Sequence, residues 1–221
     1  FRDYLDLTKP RLSLLSVLTA LVGYLATRPP SNPTKLFFVL LATSLAAGGV
    51  AALNQWLESD TDAQMQRTAD RPIPSGKIAS GSAFVVGALM CIASLFLLFA
   101  KVNLPACLFT LLTIFAYLGW YTPAKRWSIW STEIGALAGA FPPLIGWAAG
   151  EGRVTTLGWI LFGILFFWQI PHFMAIAWLY RDEYSKAGFR MLSGNDPDGR
   201  RSAASAIRNT IALIFVSIVP F

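Results

Sequence analysis

The stretch that decides the fold runs from Lys35 to Asp62 and reads KLFFVLLATSLAAGGVAALNQWLESDTD. Its apolar part, Lys35 to Leu57, is long enough for one membrane-spanning helix, which takes roughly 20 residues. The stretch then ends in three carboxylates within five residues: Glu58, Asp60 and Asp62. Charge at the rim of a membrane helix costs free energy unless a cavity, a counter-ion or a metal compensates it. The stretch therefore predicts a membrane helix that ends in a polar site.

The composition of the whole chain is typical of a membrane protein. Of 221 residues, 55% are hydrophobic and 14% are charged, whereas soluble domains average about 25% charged residues. Apolar blocks lie at about 11–28, 35–57, 80–100, 103–121, 131–149, 155–180 and 203–221. We predict an all-α, polytopic transmembrane bundle of about seven helices that forms a single domain over residues 1–221. Pro142-Pro143 and Pro171 predict kinks in the fifth and sixth helices.

The charged residues are distributed unevenly between the loops. Fourteen of the 18 Lys and Arg residues lie in the N-terminal segment or in the loops after the second, fourth and sixth helices. Cytoplasmic loops of membrane proteins are enriched in Lys and Arg, so these segments are predicted to be cytoplasmic. The opposite loops hold Arg28, Lys35, Lys101 and Arg153. All acidic residues except Glu151 lie on the predicted cytoplasmic side, which indicates a polar site there. The sequence shows no nucleic-acid-binding motif.

Asn54, Glu58 and Asp62 are spaced four residues apart. Each step of four rotates a helical side chain by about 40°, so the three are predicted to line one stripe. Asp60 would point to nearly the opposite side if the helix continued. Oxygen ligands of this kind suit Mg²⁺, which binds one or two carboxylates together with substrate phosphates. The alternative is a solvated helix end with ordinary acids.

Basic and aromatic residues on the same side could hold a phosphate group. Arg67 and Arg71 follow the acids directly, and arginine binds phosphate oxygens in bidentate fashion. Tyr121 and Lys125 close the fourth helix, where either residue type also serves as a membrane-interface anchor. We predict a diphosphate site, with topology signalling as the alternative.

The loop after the sixth helix carries a second cluster of acids and bases. It contains Arg181, Asp182, Glu183, Lys186 and Arg190. Such a cluster could share one diphosphate with the first through Mg²⁺, or it could be an ordinary mixed-charge loop.

His172 is the only histidine. A lone His in a helix is usually a structural core residue, so a structural and a functional interpretation are both open. Its place beside Pro171 in an apolar helix makes it a candidate haem contact.

Several motifs resemble the UbiA superfamily of intramembrane prenyltransferases. They are Asn54-x₃-Glu58-x₃-Asp62, Arg67-Thr68-x₂-Arg71-Pro72-x-Pro74-x-Gly76 and Tyr121-x₃-Lys125. Further runs are similar to the branch of that superfamily that farnesylates protohaem IX, and include Asp60, Phe141–Trp147, Trp168–His172 and Glu183–Leu192. Together the motifs cover nearly the whole chain. Glu58 stands where this branch usually has Asp, and the loop after the sixth helix lacks the Asp-x₃-Asp of the wider superfamily.

The resemblance implies a reaction and a location. The farnesyl group of farnesyl diphosphate would be transferred to a vinyl group of haem b, with Mg²⁺ as cofactor, in a bacterial cytoplasmic membrane. The superfamily usually has nine transmembrane helices, so a C-terminal pair would be absent from this chain. A downstream partner would modify the haem product or assemble it into an oxidase.

The resemblance also implies roles for individual residues. Metal binding falls to Asn54, Glu58 and Asp62, with Asp182 or Glu183. Catalytic roles fall to Asn54, Glu58, Asp60, Asp62, Tyr121 and Lys125. Diphosphate binding falls to Arg67, Arg71, Lys125 and Lys186, and haem binding to His172, with Arg181 or Arg190 for the propionates.

Two alternatives remain open on the sequence. One is a UbiA-type enzyme that prenylates a quinone precursor or another tetrapyrrole. The other is a cation-coupled transporter, which the sequence disfavours because its acids lie at one rim and transporter sites lie near the midplane.

Overall fold

The computed structural model describes residues 2–27 and 32–220, and in these ranges the chain is helical with no strand. The helices are α1 Arg2–Leu7, α2 Pro10–Leu25, α3 Pro33–Leu57, α4 Ser59–Asp62, α5 Ser80–Lys101, α6 Leu104–Phe115, α7 Thr122–Trp127, α8 Ser131–Ala140, α9 Pro142–Glu151, α10 Thr156–Leu179, α11 Arg181–Lys186 and α12 Arg200–Ile218. A π-helical segment, Ala116–Tyr121, joins α6 to α7, and a 3₁₀ turn covers Leu192–Asn195. The predicted all-α class is confirmed.

Each predicted apolar block forms helix within the described residues. Within residues 2–27 and 32–220, four segments are long and apolar enough to span a membrane: Pro33–Leu57, Ser80–Lys101, Leu104–Trp127 and Thr156–Leu179. The first block corresponds to the shorter apolar helix α2, and Arg28, at the predicted end of that block, lies outside the described residues. The last block corresponds to α12, which begins three residues earlier than predicted.

The two proline sites behave differently. The fifth block breaks at Phe141, and Pro142 and Pro143 begin α9 as its first two residues. Proline suits the first turn of a helix but removes a hydrogen bond and clashes with a carbonyl inside one, so the helix restarts here. Pro171, in contrast, lies inside α10, which runs unbroken from Thr156 to Leu179.

Polar side chains cap several helix starts. The Asn32 side chain accepts hydrogen bonds from the backbone N–H groups of Thr34 and Lys35 at the start of α3. Asn103 does the same for Ala106 in α6, and its amide donates to the carbonyl of Ala148 in α9. Such caps satisfy backbone donors that helix starts leave free, and the second one also ties two helices together.

Small residues bring α2 and α9 into backbone contact. A Cβ atom added at Gly146 in α9 would collide with the carbonyl oxygen of Ala20, and one added at Gly23 in α2 would collide with the carbonyl of Pro143. Small residues at membrane helix interfaces permit this close approach, which increases van der Waals contact. Glycines therefore let α2 and α9 pack at backbone distance.

The contact at Gly146 can be tested with a matched glycine. Gly146→Ala should lower stability by about 1–3 kcal/mol, because the new methyl group meets backbone atoms that cannot rotate away. Gly81→Ala, in α5, adds its Cβ to open space and should leave stability unchanged or slightly raised. Thermal unfolding of the two variants in detergent measures the difference, and equal melting temperatures would contradict the close α2–α9 contact.

Candidate active site

Asn54, Glu58 and Asp62 form the predicted stripe at the end of α3. Their relative exposures are 2%, 4% and 1%. Helix α3 ends at Leu57, and Glu58 links it to the single turn of α4. The backbone N–H of Asp62 still donates to the carbonyl of Glu58 at 2.8 Å. Asp60 is exposed, as the four-residue spacing implies. The carboxyl groups of Glu58 and Asp62 are therefore both buried, on the same side of the helix end.

Each buried carboxylate has a cation beside it. Lys125 Nζ lies 2.8 and 2.9 Å from the two carboxylate oxygens of Glu58. Arg71 donates to Asp62 Oδ2 at 2.5 Å. Removing one partner of a buried ion pair typically costs about 3–5 kcal/mol, so these pairs fix the loops that carry them. The structure thus brings together four residues that the sequence placed in three separate segments.

The amide of Asn54 holds Glu58 in place. Asn54 Nδ2 donates to Glu58 Oε2 at 3.0 Å and to Thr122 Oγ1 at 3.2 Å. Its oxygen, Oδ1, accepts from Lys9 Nζ at 3.4 Å. In this arrangement Asn54 supports the acid beside it.

Sequence reasoning assigned Lys9 to membrane topology and missed its place at the site. Desolvation, together with the nearby charges of Arg71 and Lys125, lowers the pKa of Lys9 to about 7, while Asp62 and Glu58 act in the opposite direction. The one sequence signal for Lys9 is its position before Pro10 at the start of the first apolar block. That position is equally typical of a lysine at a membrane interface, so it does not indicate a site residue.

The π-helical segment places Tyr121 next to Lys125. The ammonium of Lys125 lies 4.6 Å from the centroid of the Tyr121 ring, and Tyr117 meets the same ring edge-on at 5.1 Å. Gly135 in α8 leaves room for this ring, because a Cβ there would lie 2.7 Å from it. π-Helical turns inside α-helices occur frequently at functional sites. The predicted Tyr121–Lys125 pair therefore lies beside the acids.

The segment after α10 packs against the same cluster of buried acids and bases. Arg67 donates to the hydroxyl of Tyr184 at 3.2 Å and lies over the rings of Tyr180 and Tyr184. The backbone N–H of Arg190 donates to the carbonyl of Lys125 at 2.7 Å. A buried apolar cluster of Met65, Ala177, Ala187, Phe189 and Met191 joins the loop after α4 to the loop after α11. The two charged clusters predicted from the sequence thus lie at the same end of the bundle.

The two acids that compete for the second metal-binding role have different surroundings. The Asp182 side chain is 82% exposed and lies 3.9 Å from Arg181. Glu183 has one carboxylate oxygen, Oε2, that is buried and has no hydrogen-bond partner in the described part of the chain. Within residues 2–27 and 32–220, no group of three or more His, Cys, Asp or Glu side chains lies close enough to hold a metal ion by itself.

Other predicted site residues lie outside the buried cluster. Lys186 and Arg190 have exposed side chains. Arg181 lies over the ring of Trp178, 4.6 Å from its centroid. His172 is exposed on α10, where its ring stacks on Trp168 at 5.3 Å between centroids.

An apolar cavity of about 160 Å³ extends from the cluster into the bundle. Its lining includes Lys9, apolar side chains such as Val50, Ile114 and Ile145, and several Ser and Thr hydroxyl groups. Tyr117 belongs both to this lining and to the aromatic pair beside Lys125. The arrangement suits an amphiphile with an anionic head and a hydrocarbon chain.

Comparison with known proteins gives consistent matches along the chain. The family model described as the UbiA prenyltransferase family matches residues 16–221. The protoheme IX farnesyltransferase of Opitutus terrae is 71% identical over 220 residues, which cover 100% of this chain and 75% of that protein. The protoheme IX farnesyltransferase of Solibacter usitatus is 43% identical, with 99% of this chain and 78% of that protein covered.

The fold also matches a solved structure. A UbiA homolog from Archaeoglobus fulgidus bound to DMAPP and Mg²⁺ superimposes with a TM-score of 0.82 at 19% identity. The match covers 97% of this chain and 76% of that chain. At this identity the similarity establishes the fold.

Proposed function

Because the chain belongs to the UbiA prenyltransferase family, we propose that it transfers the farnesyl group of farnesyl diphosphate to a vinyl group of haem b, forming haem O. The proposal rests mainly on one observation: a buried cluster of paired acids and bases lies beside an apolar cavity. The name of the two relatives supports the choice of prenyl donor and acceptor. The product would pass to a partner that modifies haem or assembles an oxidase.

The cations of the cluster would hold the diphosphate. Arg71 and Lys125 already lie in the cluster, and Arg67 is fixed at its edge by Tyr180 and Tyr184. As the bond between the allylic carbon and the diphosphate oxygen breaks, negative charge grows on the departing group, and fixed cations stabilise it. The Tyr121 ring, packed against Lys125, would restrict where that ammonium can move.

The cavity would hold the farnesyl chain and protect the allylic cation. A farnesyl chain that filled the cavity would displace water from beside the reacting carbon, which limits hydrolysis. The vinyl carbon of haem b then forms a bond to the allylic carbon. Water adds to the cation that remains beside the porphyrin ring and releases a proton, which gives the hydroxyethylfarnesyl group.

The donor set fits Mg²⁺ as a cofactor, and for this reason the ion is part of the proposal. Glu58 and Asp62 supply the carboxylate oxygens that Mg²⁺ prefers, and Glu183 adds a buried oxygen with no other partner in the described ranges. Glu58 and Asp62 would hold the ion together with diphosphate oxygens, and Glu183 is the candidate for a further ligand. When bound, Mg²⁺ neutralises charge on the diphosphate and makes it a better leaving group.

The haem would approach from the exposed face of α10. His172 and Trp168 present one stacked aromatic surface there, and Arg181 and Arg190 lie beyond the end of that helix, where propionates could be held. The excess of Lys and Arg at this end of the bundle supports a cytoplasmic location for the site.

Product mass tests the proposal directly. Purified protein in lipid nanodiscs, supplied with Mg²⁺, farnesyl diphosphate and haem b, should produce haem O detectable by mass spectrometry. Asp62→Ala should reduce the rate by about 10²-fold or more, because a carboxylate proposed to hold Mg²⁺ is lost and the ion no longer neutralises the departing diphosphate. Absence of farnesylated porphyrin from active preparations that prenylate a quinone precursor would identify a different acceptor. Ion flux in proteoliposomes without prenyl transfer would indicate a transporter.

The roles of the two neighbouring acids can be separated by isosteric substitutions. Glu183→Gln should lower kcat/KM by about 10–100-fold, the usual cost of disturbing the surroundings of a metal, and should raise the Mg²⁺ concentration needed for half-maximal rate. Asp182→Asn serves as the control and should stay within about twofold of the parent, because its side chain is 82% exposed. The reverse ranking would assign the metal to Asp182.

The haem contact has a kinetic signature. His172→Ala should raise KM for haem b and leave KM for farnesyl diphosphate unchanged, since the two substrates would contact different surfaces. Leu179→Ala, at another exposed position on α10, is the control. An unchanged KM for haem b in the His172 variant would remove this residue from the haem site.

A further inference from the structure

Lys9 has an unusual backbone conformation. Its φ and ψ angles are 47° and 61°, and it is the only residue other than glycine with positive φ in the described ranges. A lysine in the left-handed region is strained, because Cβ approaches the following carbonyl oxygen. Pro10 follows directly and restricts the backbone of the residue before it still further. Such strain persists only where the surrounding structure imposes it, and it is concentrated at functional sites.

The elements on both sides of Lys9 are firmly attached. Leu7, at the end of α1, is fully buried, and its carbonyl accepts a hydrogen bond from Gln55 Nε2 at 2.8 Å. On the other side, α2 is locked to α9 by the backbone contacts at Gly23 and Gly146. Ser13 Oγ donates to the carbonyl of Thr8 at 2.7 Å and closes the turn. Two fixed helices therefore meet at Lys9, and the tight turn is imposed by their packing.

The turn directs the lysine side chain to the boundary between the polar cluster and the cavity. Lys9 Nζ lies 3.4 Å from Asn54 Oδ1, and the same residue lines the apolar cavity with Val50 and Tyr117. The carboxylates of Glu58 and Asp62 are already paired with Lys125 and Arg71. Lys9 makes no salt bridge in residues 2–27 and 32–220. Its ammonium thus faces the place where a hydrocarbon chain would join an anionic head.

We infer that Lys9 binds the prenyl diphosphate at the end nearest the hydrocarbon chain and that the strained turn serves to hold it there. The inference rests on the proposed function and adds a ligand to its diphosphate site. Arg71 and Lys125 approach the head group from the side of the acids, whereas Lys9 lies on the cavity side. The oxygen that joins phosphorus to the allylic carbon gains charge as the bond breaks, and a cation on that side would stabilise it.

The backbone strain makes the inference testable, because glycine relieves the strain and removes the ammonium in one step. Lys9→Gly should melt at the same or a higher temperature than the parent protein. Its dissociation constant for inorganic pyrophosphate at saturating Mg²⁺, measured by titration calorimetry in detergent, should rise on the order of tenfold or more, as expected when a hydrogen bond to a charged group is lost. Lys9→Arg should recover most of the affinity.

Two further variants keep the experiment decisive. Arg11→Ala removes an exposed cation two residues further along the chain and should leave pyrophosphate affinity unchanged. Lys9→Asn tolerates the left-handed backbone and replaces Lys9→Gly if the glycine variant fails to fold.

The possible results separate the inference from the proposed function. If the parent protein binds pyrophosphate and the glycine or asparagine variant binds it equally well, Lys9 is a structural residue and the inference is wrong, while the proposed function stands. If the parent protein binds neither pyrophosphate nor farnesyl diphosphate, the diphosphate site itself is wrong and both proposals fall.

Discussion

The burial of two carboxylates at the end of a membrane helix is the constraint on which the rest of the structure depends. Glu58 and Asp62 are almost fully buried, and an isolated charge in such surroundings would cost several kcal/mol. Their cations come from elsewhere in the chain: Lys125 from the turn after the π-helical segment and Arg71 from the loop after α4. The helices must therefore converge at this end, and Gly135 permits the approach of Tyr121 there.

Much of this arrangement could be predicted from the sequence, because it depends on periodicity. The apolar blocks predicted the helices to within a few residues, and the four-residue spacing predicted that Glu58 and Asp62 share one stripe and that Asp60 lies off it. The proline pair predicted a kink in the fifth block, and at that point the helix ends and restarts as α9. These features are local, so neighbouring residues carry enough information to determine them.

The features that sequence reasoning missed depend on contacts between distant segments. Lys9 reaches Asn54 only because α1 packs on α3 and α2 on α9, and no local pattern records either contact. The exposure of His172 depends on which face of α10 its neighbours cover, and that helix is apolar all round. The difference between Asp182 and Glu183 likewise comes from packing around α11, since adjacent acids look equivalent in a sequence.

The balance of charge in the cluster explains why a metal ion and a diphosphate belong to one proposal. The pairs Glu58–Lys125 and Asp62–Arg71 are each neutral as they stand. An anion that drew Lys125 or Arg71 to itself would leave a buried carboxylate without a counter-charge, at a cost of about 3–5 kcal/mol. A divalent cation bound to those carboxylates would release both basic side chains for the phosphates. Each buried pair is thus neutral while no ligand is bound. A cation for the carboxylates and an anion for the basic side chains must bind together, because binding either one alone would leave a buried charge unpaired.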